Sequence, residues 1–278
     1  MIHIHEMSEA DIPYGMERTD TEQWGYSVAD YKRLLFLSPK GCFIARDDDQ
    51  RVGLITTVQY GEYAFMGTLI VQPEYRSQKI GDKLIHAAIE YLTGRGVKTI
   101  EFDGVFSAVP WYRRLGFKDK YLSLRFFRLP NHIHFDSTMK LHADFTPDEL
   151  LQFDRRLTKR DRSIFLRRYL AEFSDSLFVA GNGRIEGYAF VKPLPENGYY
   201  IGPCIAESSE ITEMLLNEIL QRFGQYRLSL GVPDINANDI AIYRRYGFQH
   251  TLPSLRMYDG EFQEGDTSIA AIITPGMG

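Results

Sequence analysis

Residues 68–92 read TLIVQPEYRSQKIGDKLIHAAIEYL. The stretch opens on Leu69-Ile70-Val71, a short apolar run that suits a strand buried on both faces. Pro73 has no N–H for a ladder and stops that strand. From Ile80 the apolar residues Leu84, Ile85, Ala88, Ile89 and Leu92 fall on one stripe of an amphipathic helix. The order is therefore strand, tight turn, helix, with Arg76, Lys79 and Gly81 at the turn. A helix start offers unpaired N–H groups and the positive end of the dipole, which suits a phosphate. Arg76 and Lys79 add charge, and Gly81 lets a ligand come close to the backbone. An ordinary strand–turn–helix with a solvated basic turn is the alternative.

The chain has 278 residues, enough for two domains of ordinary size. Its formal net charge of −5 gives no general reason to expect nucleic acid or an anionic membrane as partner. No apolar run is long enough to span a bilayer. The N-terminus, MIHIHEMSEADI, lacks the basic region and apolar core of a signal peptide. Cys42 and Cys204 form neither a disulfide framework nor a zinc-site spacing. A reducing cytoplasm is the simplest setting.

Taken in order, the pattern predicts strands at Ile2–His5, Cys42–Ala45, Val52–Val58 and Tyr63–Val71. The helix from Ile80 ends at Gly94-Arg95-Gly96. A strand Val97–Phe102, a helix Ala108–Leu115 and a strand Tyr121–Phe127 follow. A linker, residues 131–141, separates a first domain, 1–130, from a second, 142–278. Thr146-Pro147-Asp148-Glu149 opens the second block as a strong helix start. Two helices, a hairpin around Gly181-Asn182-Gly183, the strand Tyr199–Ile205, the helix Ile211–Phe223 and the strand Tyr226–Gly231 come next. The helix Ile240–Tyr246 precedes a final strand at Arg256–Tyr258.

The two blocks match each other at nearly constant spacing. Phe43 and Ala45 correspond to Phe178 and Ala180, and Gly67 to Gly202. Tyr112-Arg-Arg-Leu-Gly-Phe117 corresponds to Tyr243-Arg-Arg-Tyr-Gly-Phe248. The duplication is asymmetric. Where the first copy has its basic turn, the second has Glu207-Ser-Ser-Glu-Ile-Thr-Glu213, whose acids repel a pyrophosphate. The second copy reads as structural, or as a wall for the acceptor.

The run Val71-x-Pro73-x-Tyr75-Arg76-x-x-x-Ile80-Gly81 resembles the acyl-CoA binding motif of the GNAT N-acyltransferases. Their pattern is Arg/Gln-x-x-Gly-x-Gly/Ala, here Arg76-Ser77-Gln78-Lys79-Ile80-Gly81. Lys79 stands where the family usually has its first glycine. The whole chain resembles a tandem GNAT whose second domain has lost its cofactor loop. The resemblance implies an α/β fold: two tandem domains, each a mixed, mostly antiparallel sheet flanked by helices. It also implies acetyl-CoA, or another acyl-CoA, as co-substrate, no metal, and direct attack by an amine in a ternary complex. Backbone groups of Leu69, Ile70 and Val71 are then expected to pair with the pantetheine arm like an added strand. The N–H near Leu69 is expected to bond the thioester carbonyl. The backbone of Arg76, Ser77, Gln78, Lys79, Ile80 and Gly81 is expected to hold the pyrophosphate.

Ala108-x-Pro110-Trp111-Tyr112-Arg113-Arg114-Leu115-Gly116-Phe117 resembles the family segment whose tyrosine points at the CoA sulfur. Tyr112 is thus the candidate general acid, with plain packing of its helix as the alternative. Phe102-Asp103-Gly104 resembles a Leu-Asp-Ala segment of related enzymes. Asp103 either accepts the amine proton or caps a turn. Trp24, with Gly25, Tyr26 and Asp30, resembles an acceptor-side loop, or is a buried indole. His3-x-His5 and His132-x-His134 lack further ligands for a metal, and there is no Gly-x-Ser-x-Gly elbow. The expected activity is transfer of acetyl to a primary amine of a small molecule. The rivals are a non-catalytic acyl-CoA sensor and a protein lysine or N-terminal acetyltransferase. A homodimer is an open option.

Overall fold

The structure, a computed structural model, describes residues 1–131, 145–195, 197–264 and 267–278. The expected linker lies outside these residues except for Asn131, as do His132 and His134. The chain divides into two compact units. The first holds Met1–Phe102, Tyr258–Phe262 and Gly276–Gly278, and the second Asp103–Met257 and Gln263–Pro275.

In the first unit, β1 (Ile2–Glu6) is followed by α1 (Ile12–Thr21), α2 (Val28–Leu37), β2 (Phe43–Asp47), β3 (Gln50–Tyr60) and β4 (Tyr63–Val71). Then come α3 (Ile80–Thr93) and β5 (Thr99–Gly104), of which Thr99–Phe102 belong to this unit. The strands lie in the order β1-β2-β3-β4-β5. All neighbours are antiparallel except β4 and β5. α3 packs against β1 to β4 through its buried stripe Ile80, Leu84, Ile85, Ala88 and Leu92, as the periodicity predicts. α2 starts on a capping box in which Ser27 accepts from the Asp30 N–H and Asp30 accepts from Ser27. Asp30 also pairs with buried Arg33 at 2.8 Å. Its role is to start a helix.

The second unit contains α4 (Val109–Arg114), β6 (Lys118–Arg128), α5 (Pro147–Thr158), α6 (Ser163–Phe173), β7 (Leu177–Ala180), β8 (Gly187–Leu194) and β9 (Gly198–Ala206). After these come α7 (Ser209–Phe223), β10 (Arg227–Pro233), α8 (Ala237–Arg245), β11 (Gln249–His250), β12 (Ser254–Gly260) and β13 (Ile269–Ala271). Its strands run β6-β10-β9-β8-β7. β6 joins this sheet because Ser123–Arg128 pairs antiparallel with Leu228–Pro233. Residues 103–130, expected in the first domain, therefore cluster here. Thr146 and Glu149 cap α5 reciprocally, as the sequence predicts. Arg162 on the approach to α6, Asp154 on α5 and Tyr188 on β8 bond one another in the core. A core of Leu215, Ile219, Leu228, Val191, Ile201 and Tyr243 fills the space between α7, α8 and the sheet.

The strand expected last, Arg256–Tyr258, is β12. β13 comes after it, and its three residues are too few to show a period.

Candidate active site

β4 and β5 pair only from Tyr63 to Phe65, opposite Thr99 to Glu101. Beyond Phe65, β4 runs on to Val71 without that partner, which leaves an edge of N–H and C=O groups for a strand-like ligand. The β3–β4 register also breaks here, between Leu54 opposite Ile70 and Thr56 opposite Gly67. This is a β-bulge. Thr68 sits in it with φ +52°, the left-handed region that a branched side chain rarely adopts. Leu69, Ile70 and Val71 follow directly.

A short 3-10 turn, Pro73–Tyr75, leads into the basic loop. Ser77 has φ +67°, and Lys79, the N-cap of α3, has φ +59° and ψ +20°. Alternation of ordinary and left-handed residues turns successive N–H groups inward, an anion-binding nest. Among the described residues, no backbone carbonyl accepts from the amides of Ser77, Gln78, Lys79, Ile80 or Gly81. Arg76 is exposed; its Nε donates to Val71 O at 3.1 Å, tying the loop to the end of β4. Gln78 reaches back to Glu74 O. Glycine adopts the left-handed conformation of Lys79 without steric penalty. An L side chain pays about 1–2 kcal/mol in that conformation. Lys79→Gly is therefore expected to raise unfolding free energy by about 1 kcal/mol, net of glycine's added chain entropy. A urea midpoint at or below that of the wild type refutes this.

Trp24 lies between α1 and α2, its backbone N–H donating to Thr19 O, with left-handed Gln23 and Gly25 beside it. At 38 % exposure the indole is not a core residue. Tyr26 follows, tilted against Tyr31 with ring centroids 5.5 Å apart. The segment Gly276–Gly278 belongs to the same unit and is buried. A methyl on Gly67 would lie 2.5 Å from Gly276 O, and one on Gly276 would collide with the Tyr26 hydroxyl. Tyr60 Oη donates to Met277 O at 3.0 Å.

Asp103 and Tyr112 belong to the second unit. Asp103 Oδ1 accepts from Arg256 Nε at 2.6 Å. Its Oδ2 accepts from Arg125 Nη2 at 2.6 Å and from Ser123 Oγ at 3.0 Å. Burial pushes this carboxyl up, but the Arg256 and Arg125 charges outweigh it and hold the group at about 2. Such a carboxylate has its lone pairs in use and little affinity for a proton. Asp103, the candidate general base or turn cap, is a buried carboxylate held between two arginines. Tyr112 lies on α4, which Gly116 terminates at φ +98°. It is 8 % exposed, with its ring 4.7 Å from that of Trp111 and edge-on to Phe117. Burial raises its phenol, which stays protonated at neutral pH.

In the second copy the corresponding place is occupied. β9 and β10 pair only from Gly198 to Tyr200, opposite Arg227 to Ser229. Past that point β13 lies antiparallel on Cys204 and Ile205, and Ile272 N–H donates to Gly231 O of β10 at 2.9 Å. The chain's own segment fills the gap. Gly202, the counterpart of Gly67, has no room for a methyl because Ile272 O passes against it. Tyr243, the counterpart of Tyr112, donates its hydroxyl to Ala270 O of the inserted segment at 3.0 Å. Between β9 and α7 there remain only Glu207 and Ser208. Glu207 is bonded to Arg184 at 2.7 Å and Arg156 at 2.6 Å, which hold its carboxyl at about 2.

Among the described residues no group of three or more His, Cys, Asp or Glu could hold a metal, and both cysteines are buried. No helix is long and apolar enough to cross a membrane. Sequence reasoning missed the Thr68 bulge and the segments at 268–273 and 276–278. Only the paired glycines 67 and 202 signalled that backbone would pass there.

The acetyltransferase (GNAT) family model matches residues 5–117, and an acetyltransferase (GNAT) domain model matches residues 150–269. A holothin acyltransferase from a Pseudoalteromonas species is 24 % identical over 250 residues, 88 % of this chain and 83 % of that protein. N-alpha-acetyltransferase 30 of Dictyostelium discoideum is 30 % identical over 99 residues, 33 % of this chain and 54 % of its own. A crystal structure from Pyrococcus horikoshii, provisionally assigned as an acetyltransferase, superposes over all of this chain and 96 % of its own, with TM-score 0.82 and 21 % identity. A GCN5-related N-acetyltransferase from Sphaerobacter thermophilus covers 96 % and 98 %, with TM-score 0.67 and 15 % identity. With an open strand edge and an amide-lined turn in one copy, a filled gap in the other, and a family match on each, the chain belongs to the GNAT acetyltransferases as a tandem protein.

Proposed function

We propose that this acyl-CoA-dependent acetyltransferase moves acetyl from acetyl-CoA to a primary amine of a small molecule, by direct attack in a ternary complex. One contrast carries the reading. The first copy keeps the unpaired β4 edge and the free amides of residues 77–81, whereas the second fills its gap with residues 268–272.

Each role follows from a group's chemistry. The amides from Ser77 to Gly81, with Arg76 and Lys79, bind the pyrophosphate. Leu69, Ile70 and Val71 pair with the pantetheine amides as a neighbouring strand does. The Leu69 N–H polarises the thioester carbonyl as negative charge grows on its oxygen. The Tyr112 hydroxyl hydrogen-bonds the sulfur as the C–S bond breaks. Tyr243 supports this: at the matching position its hydroxyl already bonds the backbone that fills the second copy's gap.

A small acceptor is favoured over a protein N-terminus by coverage. The relative that spans both copies is named for holothin, whereas the N-alpha-acetyltransferase matches a third of the chain. Calorimetric titration with acetyl-CoA is expected to give one site per chain. Two sites of similar affinity refute the asymmetric reading. Thiol release against an amine panel then tests the acceptor class, and no release with any amine favours a non-catalytic sensor.

A further inference from the structure

The bulge on β4 is built from a residue poorly suited to it. Glycine takes φ near +52° without steric penalty; Thr68 does not. Something must hold it there. Its Oγ1 lies 2.6 Å from Oγ1 of Thr56 on β3. Thr56 is wholly buried and Thr68 is 5 % exposed. A buried hydroxyl needs an acceptor. Thr68 Oγ1 is the hydrogen-bond partner that Thr56 Oγ1 has among the described residues. Either hydroxyl can donate in this bond, and each is held by the other. The next residue fixes β3 from its other side. Thr57 bonds Ser38 Oγ at 3.0 Å and Gly41 O at 2.9 Å. So the strand that carries Thr56 is itself anchored.

We propose that Thr56 is a positioning residue. Its hydroxyl keeps Thr68 in the left-handed conformation, and so aims the amide N–H of Leu69 at the acyl group of the bound thioester. This rests on the reading of Leu69 given above. The physical logic is that of strain held beside a reacting centre by a surrounding hydrogen bond. A strand without the bulge would turn the Leu69 amide back into the β3–β4 ladder.

The test uses the full chain with [1-¹³C]acetyl-CoA and follows the thioester carbonyl resonance. Polarisation by a hydrogen bond moves it downfield from its position in free acetyl-CoA. Thr56→Val keeps the shape and removes the hydroxyl; Thr56→Ser keeps the hydroxyl. In Thr56→Val most of the downfield shift should vanish and kcat should fall about 10–10²-fold, somewhat less than loss of a whole oxyanion donor costs. Acetyl-CoA affinity should change by less than about threefold, because the pyrophosphate contacts are untouched. Thr56→Ser should restore both. Should Thr56→Val fold poorly, the double variant Thr56→Val, Thr68→Gly should recover the shift, since glycine adopts the bulge unaided. A shift and kcat that survive Thr56→Val, or are lost equally in Thr56→Ser, overturn the proposal alone. A wild-type chain that binds acetyl-CoA with no downfield shift overturns the reading of Leu69, and this proposal with it.

Discussion

Tyr112→Phe is expected to lower kcat by about 10²–10³-fold, the usual cost of removing one donor aimed at developing charge. The substitution keeps the ring, and the ring does the packing against Trp111 and Phe117. Stability and acetyl-CoA affinity should therefore change little. Burial raises the Tyr112 phenol above its ordinary value, so the donor is intact throughout the neutral range. No limb of the pH–rate profile near neutrality should belong to it. The raised phenol also says how it acts. It is a weaker acid than a thiol, which titrates at about 8.5. Complete transfer to the sulfur is uphill, and its effect comes from a hydrogen bond that strengthens as the leaving thiolate gains charge. The measurement is single-turnover thiol release, which isolates the chemical step. An unchanged rate in that experiment removes Tyr112 from the mechanism.

Most of the first copy's strand–turn–helix was legible because its signals are local. The strand Tyr63–Val71 has the bounds the pattern predicts, and the stripe from Ile80 is the buried face of α3. The same holds for the capping box at Thr146. What the sequence hid is set by partners distant along the chain. Asp103 is singled out by the resemblance of Phe102-Asp103-Gly104 and its place at the end of a strand; its partners Arg125 and Arg256 arrive from β6 and β12. Thr68 carries no mark of its left-handed backbone, since the usual glycine is absent. β13 is three residues long, and its effect on the second copy depends on where it inserts. Gly67 and Gly202 were found as a matched pair, but their reason is tertiary: each admits a backbone carbonyl, from Gly276 and Ile272 respectively.

Asp103→Ala is expected to destabilise the fold by about 3–5 kcal/mol, the cost of leaving a buried charge without its partner. Arg256 is 1 % exposed and would lose the carboxylate that its Nε meets at 2.6 Å. Arg125 has 18 % of its side chain in solvent and can partly recover water, which places the loss nearer the lower end. Asp103→Asn retains one acceptor and should cost less. The pH dependence has a definite sign. The folded carboxyl sits at about 2, below its ordinary value of 3.8. Its contribution is therefore fully present above the unfolded value, and is lost as pH falls through the folded one. Urea midpoints of the wild type should drop across that acid window, and those of Asp103→Asn should lack this part of the drop. The opposite assignment predicts the opposite split. A general base removed by Asp103→Asn would leave the urea midpoint at neutral pH unchanged, lower kcat by at least about 10²-fold, and abolish the acid limb of kcat/KM. That pattern would return Asp103 to the chemistry. Lost stability, with the folded enzyme still turning over at a near-normal rate, identifies it as the strut that its arginines describe.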